Sequence, residues 1–235
     1  MYIFWGAKGN SLGAKVAAEL WPEIGNNYVA FDIDDCDATK YDEVERALSI
    51  ILAHEEIIEG VVIFVGKMRN ARIEDETPEG VIDLFETNAL SLFNIAKGLY
   101  PIFKAQGSGT LIHIGSNSAV MGFSGMLSYC ASKFASRGMI QVIAKEYIKI
   151  GATANQINPC AFEPGSSEMS NAQFEQFAAI QKMDEVQTRS MLVSRIPAGR
   201  LTSVDDLVTT IRFLLFDASP FITGQSINLS GGMVM

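Results

Sequence analysis

Six short runs rich in valine, isoleucine or other apolar residues, separated by longer segments of helical period, constrain this chain more than any other feature. The runs are Tyr2–Trp5, Tyr28–Ile33, Val61–Val65, Thr110–Ile114, Thr153–Asn158 and Ser226–Leu229. Between them lie Ala14–Leu20, Tyr41–His54, Val81–Ala105, Ser128–Ile150 and Val204–Phe216, each with apolar residues at helical spacing. This alternation is the sign of βαβ units, in which parallel strands are buried on both faces by the helices that connect them. It predicts an α/β fold, a Rossmann-like doubly wound parallel sheet flanked by helices. Most of the runs end at Gly, Asn or Asp, where loops begin, and loops at the carboxyl ends of such strands are where these sheets hold ligands.

The stretch 166–194 has helical spacing but no strand after it, so it reads as an insertion. The region 162–195 is expected to form a lid over the binding cleft. No repeat, low-complexity tract or linker divides the sequence, and residues 1–235 are expected to form one domain with a sizeable core.

Charge and composition exclude several function classes. A formal net charge of -9 with no Lys/Arg cluster argues against a nucleic-acid partner. The apolar run that matters most, Val61–Val65, is far below the roughly 20 residues that cross a bilayer, so no membrane partner is expected. Met1 leads straight into Tyr2-Ile3-Phe4-Trp5 with no basic region or cleavage signature, which gives no sign of secretion. Cys36, Cys130 and Cys160 are odd in number and widely spaced, which fits buried thiols in a reducing, cytoplasmic compartment better than a disulfide frame or a metal site. His54 and His113, at a helix end and in an apolar strand, read as structural. The methionines from Met183 to Met191 either line a pliable substrate pocket or fill gaps beneath the lid.

Two constellations carry chemistry. The first strand is followed by Gly6-Ala7-Lys8-Gly9-Asn10-Ser11-Leu12-Gly13 and then a helix. Such a turn can be only a tight turn, or it can let backbone N–H groups and a helix N-terminus approach a pyrophosphate. The next strand ends at Asp32, where an acid can bind the ribose hydroxyls of NAD, and this favours the second reading. The other constellation is more specific. Ser116 stands just past the strand Thr110–Ile114, and Tyr129 and Lys133 lie four apart on one face of the following helix. A phenol has a pKa near 10, so acid/base work at neutral pH needs that value lowered, and an ammonium one turn away is expected to do it. Ser116 could donate to a substrate oxygen and hold it beside the phenol. A lone Tyr-x-x-x-Lys pair is most often chance; the serine and the preceding turn argue against chance here.

In the order of its Gly-rich turn, Asn88, Ser116, Tyr129 and Lys133, the chain resembles the short-chain dehydrogenase/reductase superfamily over almost its whole length. Cys36-Asp37-Ala38-Thr39 resembles that family's adenine-contacting segment, and Phe85-Glu86-Thr87-Asn88 the helix turn that carries its structural and proton-relay asparagine. The stretch Arg195 to Leu201, with Val204-Asp205-Asp206, Thr223-Gly224-Gln225 and Gly231-Gly232, follows the tail of its classical members. The resemblance implies that Tyr129 is the proton donor or acceptor and that Lys133 lowers its pKa and binds the nicotinamide ribose. It further implies that Ser116 positions the substrate oxygen, that Asn88 holds a water linking Lys133 to solvent, and that Asp37 approaches the adenine. Gly6, Lys8, Ser11, Leu12, Gly13, Asp32, Asp37, Gly66 and Pro159, with Tyr129 and Lys133, are the expected cofactor-binding residues.

The departures are equally specific. Trp5 replaces the family's usual threonine, the turn is one residue longer, and Ser11 takes the place of its middle glycine. Ile63-Phe64-Val65-Gly66 keeps only the last residue of the usual Asn-Asn-Ala-Gly. Pro159-Cys160 replaces Pro-Gly, and the threonine that often touches the carboxamide is missing, with Glu163 and Pro164 nearby. Because so little chain separates Asp32 from Asp37, a helix and strand are largely deleted, leaving a sheet of six strands, or seven with a vestigial third.

The expected activity is hydride transfer between NAD(H) and a secondary alcohol or ketone. The alternative is a non-catalytic dinucleotide-binding sensor or scaffold, favoured by the altered turn and disfavoured by retention of Asn88, Ser116, Tyr129 and Lys133. NADP stays possible because Lys8 resembles the basic residue of NADP-preferring members, while Asp32, Asp34 and Asp35 favour NAD. A homotetramer is expected, since Val81–Ala105 and Ser128–Ile150 carry more apolar residues than one sheet face can cover, and in the family these helices pair across subunits.

Overall fold

The computed structural model describes residues 1–54 and 57–235. Six parallel strands form one sheet in the order β2-β1-β3-β4-β5-β6. They are β1 (Tyr2–Trp5), β2 (Tyr28–Phe31), β3 (Gly60–Ile63), β4 (Gly109–Ile114), β5 (Ala152–Pro159) and β6 (Ser226–Leu229). The expected doubly wound sheet is therefore present with six strands, and β3 pairs directly with β1 on the side away from β2. The strand order reverses at β1, and in open α/β sheets that reversal opens a crevice at the carboxyl ends.

Helices cover both faces. On one lie α3 (Tyr41–His54), α5 (Ser91–Gln106) and α6 (Leu127–Tyr147), packed on a core that includes Trp5, Ile63, Leu111 and Ala154. On the other lie α1 (Leu12–Glu19) and α9 (Val204–Arg212), packed on Phe4, Val62, Ile112 and Ile157. Neighbouring residues of each strand thus point into opposite cores, which is why these strands read as unbroken apolar runs. Each face buries many large side chains completely, at roughly 25 cal/mol per Å² of apolar surface removed from water.

Four spans depart from the sequence expectation. The β2 and β3 ladders stop at Phe31 and Ile63 rather than at Ile33 and Val65, because the chain beyond turns over the sheet edge to line the cleft. The predicted helix Val81–Ala105 is α4 (Pro78–Phe85) and α5 joined by a π turn over Glu86–Leu90. Asn88 sits on that turn, and π turns of this kind are frequent at functional sites. The predicted helix Val204–Phe216 ends its α-helical part at Arg212 and continues as a π turn, Phe213–Asp217. The insertion is two helices, α7 (Glu168–Gln181) and α8 (Glu185–Ser194), each begun by a side-chain capping box.

Candidate active site

At the carboxyl end of β1 the backbone turns through Gly6 at φ 74° and Gly9 at φ 63°, conformations that other residues rarely adopt. A Cβ on Gly6 would lie 3.0 Å from the Val65 nitrogen. Ser11 caps α1, its Oγ accepting from the Ala14 N–H at 3.1 Å, and Leu12 is the helix's first residue. The longer turn without its middle glycine thus still feeds a capped helix N-terminus. Gly13 lies beneath the turn and does not line the cleft: a Cβ there would meet the Gly6 carbonyl oxygen at 2.7 Å and the Phe64 ring at 2.9 Å.

Beyond β2 the acidic segment folds onto itself. Asp32 lines the cleft, and its carboxylate accepts from the Ile33 N–H at 2.8 Å and the Lys8 N–H at 3.4 Å. The Lys8 ammonium is paired with Asp35 at 2.6 Å, which holds that carboxyl below its usual range. Asp37 accepts from the Thr39 N–H and hydroxyl at 3.0 and 2.7 Å, with Lys40 at 3.2 Å. These partners hold it, too, below the usual carboxylate range.

At the carboxyl end of β4, Ser116 adopts extended backbone and caps the short turn Asn117–Ala119, its Oγ accepting from the Ser118 N–H at 3.1 Å. Its own hydroxyl donates to Asn117 Oδ1 at 3.1 Å. Tyr129 and Lys133 stand on the first turns of α6, both buried, with the ammonium 5.8 Å from the phenol ring centroid. Glu76, hydrogen-bonded to Ser128 and facing Arg69, ties the loop after β3 to this end of α6. Lys133 Nζ donates to the Ile114 carbonyl at 3.3 Å. Asn88 is fully buried: Oδ1 accepts from the Lys67 N–H at 2.7 Å, and Nδ2 donates to the Lys67 carbonyl and to Ser132 Oγ, both at 2.9 Å. Gly66 separates these groups with no room to spare, since a Cβ there would lie 3.3 Å from Lys133 Nζ and 3.4 Å from Asn88 Oδ1.

The electrostatics correct one expectation. Lys133 was expected to lower the Tyr129 phenol, but burial pushes that phenol up to about 12, with the Ser116 hydroxyl working partly against the rise. Burial likewise brings the Lys133 ammonium down to about 8. Desolvation disfavours the charged form of each group and is the leading cause of both shifts. His113, fully buried on β4, is driven down to about 3 by burial and by the Lys133 charge. Its Nδ1 meets Gln156 Oε1 at 3.1 Å in a structural role, as expected.

The cleft has two lobes. One, of about 390 Å³, is lined by Lys8, Ser116, Tyr129, Lys133, Pro159 and the head of α7. The other, of about 570 Å³, is lined by Trp5, Cys36, Asp37, Thr39 and Asp83. They meet at Gly6, Ser11, Asp32, Phe64, Gly66, Lys67 and Met169. Each lobe falls within the ordinary range of a ligand site, and an elongated ligand with two ends and a waist against the α1 N-terminus fits the pair. A dinucleotide has that shape, so the residues present fit one.

Residues absent from the sequence reading also line the cleft. Ser167, the buried cap of α7, stands in it with Met169 and Ser170, and Lys67, paired with Asp83 at 2.6 Å, borders both lobes. The capping pattern of Ser167 and Ser170 at the head of a helical period was the available signal for the first. Met183 and Met191 line neither lobe.

A one-layer parallel sheet with a Gly-rich turn after β1 and a buried Ser-Tyr-Lys cluster after β4 defines a class, and the comparisons agree with it. A family profile described as enoyl-(acyl carrier protein) reductase matches residues 7–234, and the chain belongs to the short-chain dehydrogenase/reductase superfamily. Among its relatives, the 3-oxoacyl-[acyl-carrier-protein] reductase FabG of Vibrio cholerae is 25% identical over 229 residues, covering 95% of this chain and 88% of that protein. The 3-oxoacyl-[acyl-carrier-protein] reductase of a Synechocystis strain is 29% identical over 233 residues, 97% and 85% of the two. Sorbitol-6-phosphate 2-dehydrogenase SrlD from Erwinia amylovora superposes with a TM-score of 0.92 at 21% identity over 100% of both chains. An NAD+-bound xylitol dehydrogenase gives 0.88 at 20% identity over 98% and 97%. ElxO with NADP bound gives 0.81 at 18% over 99% and 98%, so neighbours of this fold carry either dinucleotide.

Proposed function

We propose that this chain is a nicotinamide-dependent oxidoreductase that interconverts a secondary alcohol and a ketone, with NAD(H) preferred and Tyr129 as the acid/base. The observation that carries this reading is the convergence of Ser116, Tyr129 and Lys133, all buried, at one end of the two-lobed cleft. Bound there, the dinucleotide would supply or take up the hydride. A phenol near 12 is protonated throughout the physiological range, which is the state needed to give its O–H proton to the oxygen of a carbonyl under reduction. The Lys133 ammonium, buried in a low dielectric, stabilises the phenolate left behind and offers N–H donors to a ribose. Ser116 Oγ, turned from Asn117 towards the substrate, holds the reacting oxygen beside the phenol.

Preference for NAD(H) rests on Asp32, and on Lys8 having its charge already met by Asp35. A 2′-phosphate would enter a region of three carboxylates, Asp32, Asp34 and Asp35, with that one ammonium. Calorimetric titration with NADH and NADPH, followed by a carbonyl panel read by absorbance of the reduced cofactor, tests the proposal. Binding of NADH with turnover of a ketone is expected; binding of neither dinucleotide would favour the scaffold alternative. We further propose a cytoplasmic homotetramer, supported by buried free thiols and by the exposed Leu90, Phe93, Phe134 and Val142 on the π turn, α5 and α6. No helix among the described residues is long and apolar enough to cross a membrane.

A further inference from the structure

The lobe that holds Ser116 and Tyr129 shares Asn117, Cys160 and Ala161 with an adjoining, smaller cavity of about 60 Å³. Its wall is drawn from four parts of the chain: Phe123 and Met126 before α6, Phe177 and Leu192 on the two insertion helices, Ile196, and Met233 near the end of the sequence. The polar groups on its lining are Asn117, Ser118, Cys160 and Arg195. Asn117 Oδ1 accepts from Ser116, and its Nδ2 faces Cys160 Sγ and Met233 Sδ, each at 3.6 Å. Burial pushes the Cys160 thiol up, which keeps it neutral. Ser118 is buried. Arg195 is the one charged residue on the lining; it is exposed and makes no ion pair among the described residues. Its stem can close the wall while its guanidinium stays in water.

We infer that this cavity receives one arm of the substrate, and that the substrate is a ketone or secondary alcohol whose arm is an uncharged, apolar chain of about four to six heavy atoms. The inference rests on the proposed oxidoreductase reading and adds the substrate class to it. The position follows from the shared wall: a carbonyl held by Ser116 and Tyr129 has two substituents, and Asn117, Cys160 and Ala161 set the cavity beside one of them. The polarity follows from the lining, since a cavity walled by aromatic, leucine, isoleucine and methionine side chains stays dry and takes apolar groups. The length follows from volume. A water-sized occupant needs roughly 10–15 Å³ on this measure, so a cavity of about 60 Å³ holds four to six such units. Methionines at both ends of the wall allow it to adapt to small differences in arm shape.

The test is a homologous series of straight-chain methyl ketones, from 2-butanone to 2-decanone, with the purified full chain and NADH or NADPH at saturation. kcat/KM is expected to rise roughly fourfold per methylene until the arm fills the cavity at about four to six heavy atoms, and then to level or fall. Replacing the last carbons by a carboxylate at the same arm length is expected to lower kcat/KM. Met233→Ala should move the optimum to longer arms by about the three heavy atoms removed, and Leu192→Trp should move it to shorter ones. A flat series with measurable turnover would overturn the inference while leaving the oxidoreductase reading standing. Preference for the carboxylate-ended arm would overturn it in favour of an anion held by Arg195. No turnover of any ketone despite bound NADH would overturn both.

Discussion

The two ends of the cleft are built on different terms. At the β4 and α6 end, Asn88, Ser116, Tyr129 and Lys133 are buried at 0, 8, 8 and 4% exposure, and backbone groups of Gly66, Lys67 and Ile114 press against them. At the β1 and β2 end, Lys8, Asp34 and Asp35 are exposed, and Lys8 pairs with Asp35 at the surface. A buried cluster tolerates few alternatives because each unpaired polar group there costs about 1–3 kcal/mol, whereas an exposed ion pair is worth about 0–1 kcal/mol. The difference predicts that the first end tolerates substitution less than the second.

If this contrast is sound, substitutions at the buried end cut deepest. Lys133→Ala should lower turnover by at least the 10²–10⁴-fold range of a positioned acid/base group and also weaken dinucleotide binding, measured by steady-state kinetics and calorimetry. In the unsubstituted chain, carbonyl reduction should fall as pH rises past about 8, where Lys133 loses its proton. An unchanged rate across that range would separate the ammonium from the chemistry.

His113 tests the buried end through stability. Its folded-state value is depressed to about 3 from an ordinary 6.5, so the unfolded chain takes up a proton that the folded chain refuses. Stability should be complete above pH 6.5 and be lost progressively towards pH 3, by up to about 1.4 kcal/mol per unit from this group. Denaturant melts of His113→Gln against the parent between pH 6 and 4 should show the shallower slope in the variant. Equal slopes would remove His113 from the account.

The exposed end should respond more gently. Asp32→Ala is expected to shift the ratio of kcat/KM for NADH over NADPH towards NADPH by about tenfold, the equivalent of about 1.4 kcal/mol. Lys8→Ala, which removes a partner already met by Asp35, should change either value by less than about fivefold. A larger effect of Lys8 than of Asp32 would invert the assignment of the two residues.

The sheet was legible because its signal is repeated: each strand announces itself by an apolar run and each crossover by its period. The Tyr129 and Lys133 pair was legible for a related reason, a fixed spacing on one helix face. What escaped were properties set by neighbours distant in sequence. The rise of the Tyr129 phenol comes from burial, in a cluster that includes Met68 and Leu84, and the π turn at Asn88 carries bonds to Lys67 and Ser132. Ser167 escaped because Pro164 and Gly165 lie between β5 and the helix it caps, and only the fold brings the head of that helix to the cleft.

Tyr129 is proposed to move the proton and, though it lines the cofactor cleft, to contribute little to dinucleotide affinity. Tyr129→Phe, assayed for turnover of the best ketone and titrated with NADH in the same preparation, addresses it most directly. Cofactor affinity is expected within about a few-fold of the parent, with a rate reduced by about 10²–10⁴-fold or more. A variant that keeps more than about a tenth of the parental rate would contradict it, because general acid catalysis of the usual size would then have to come from another group.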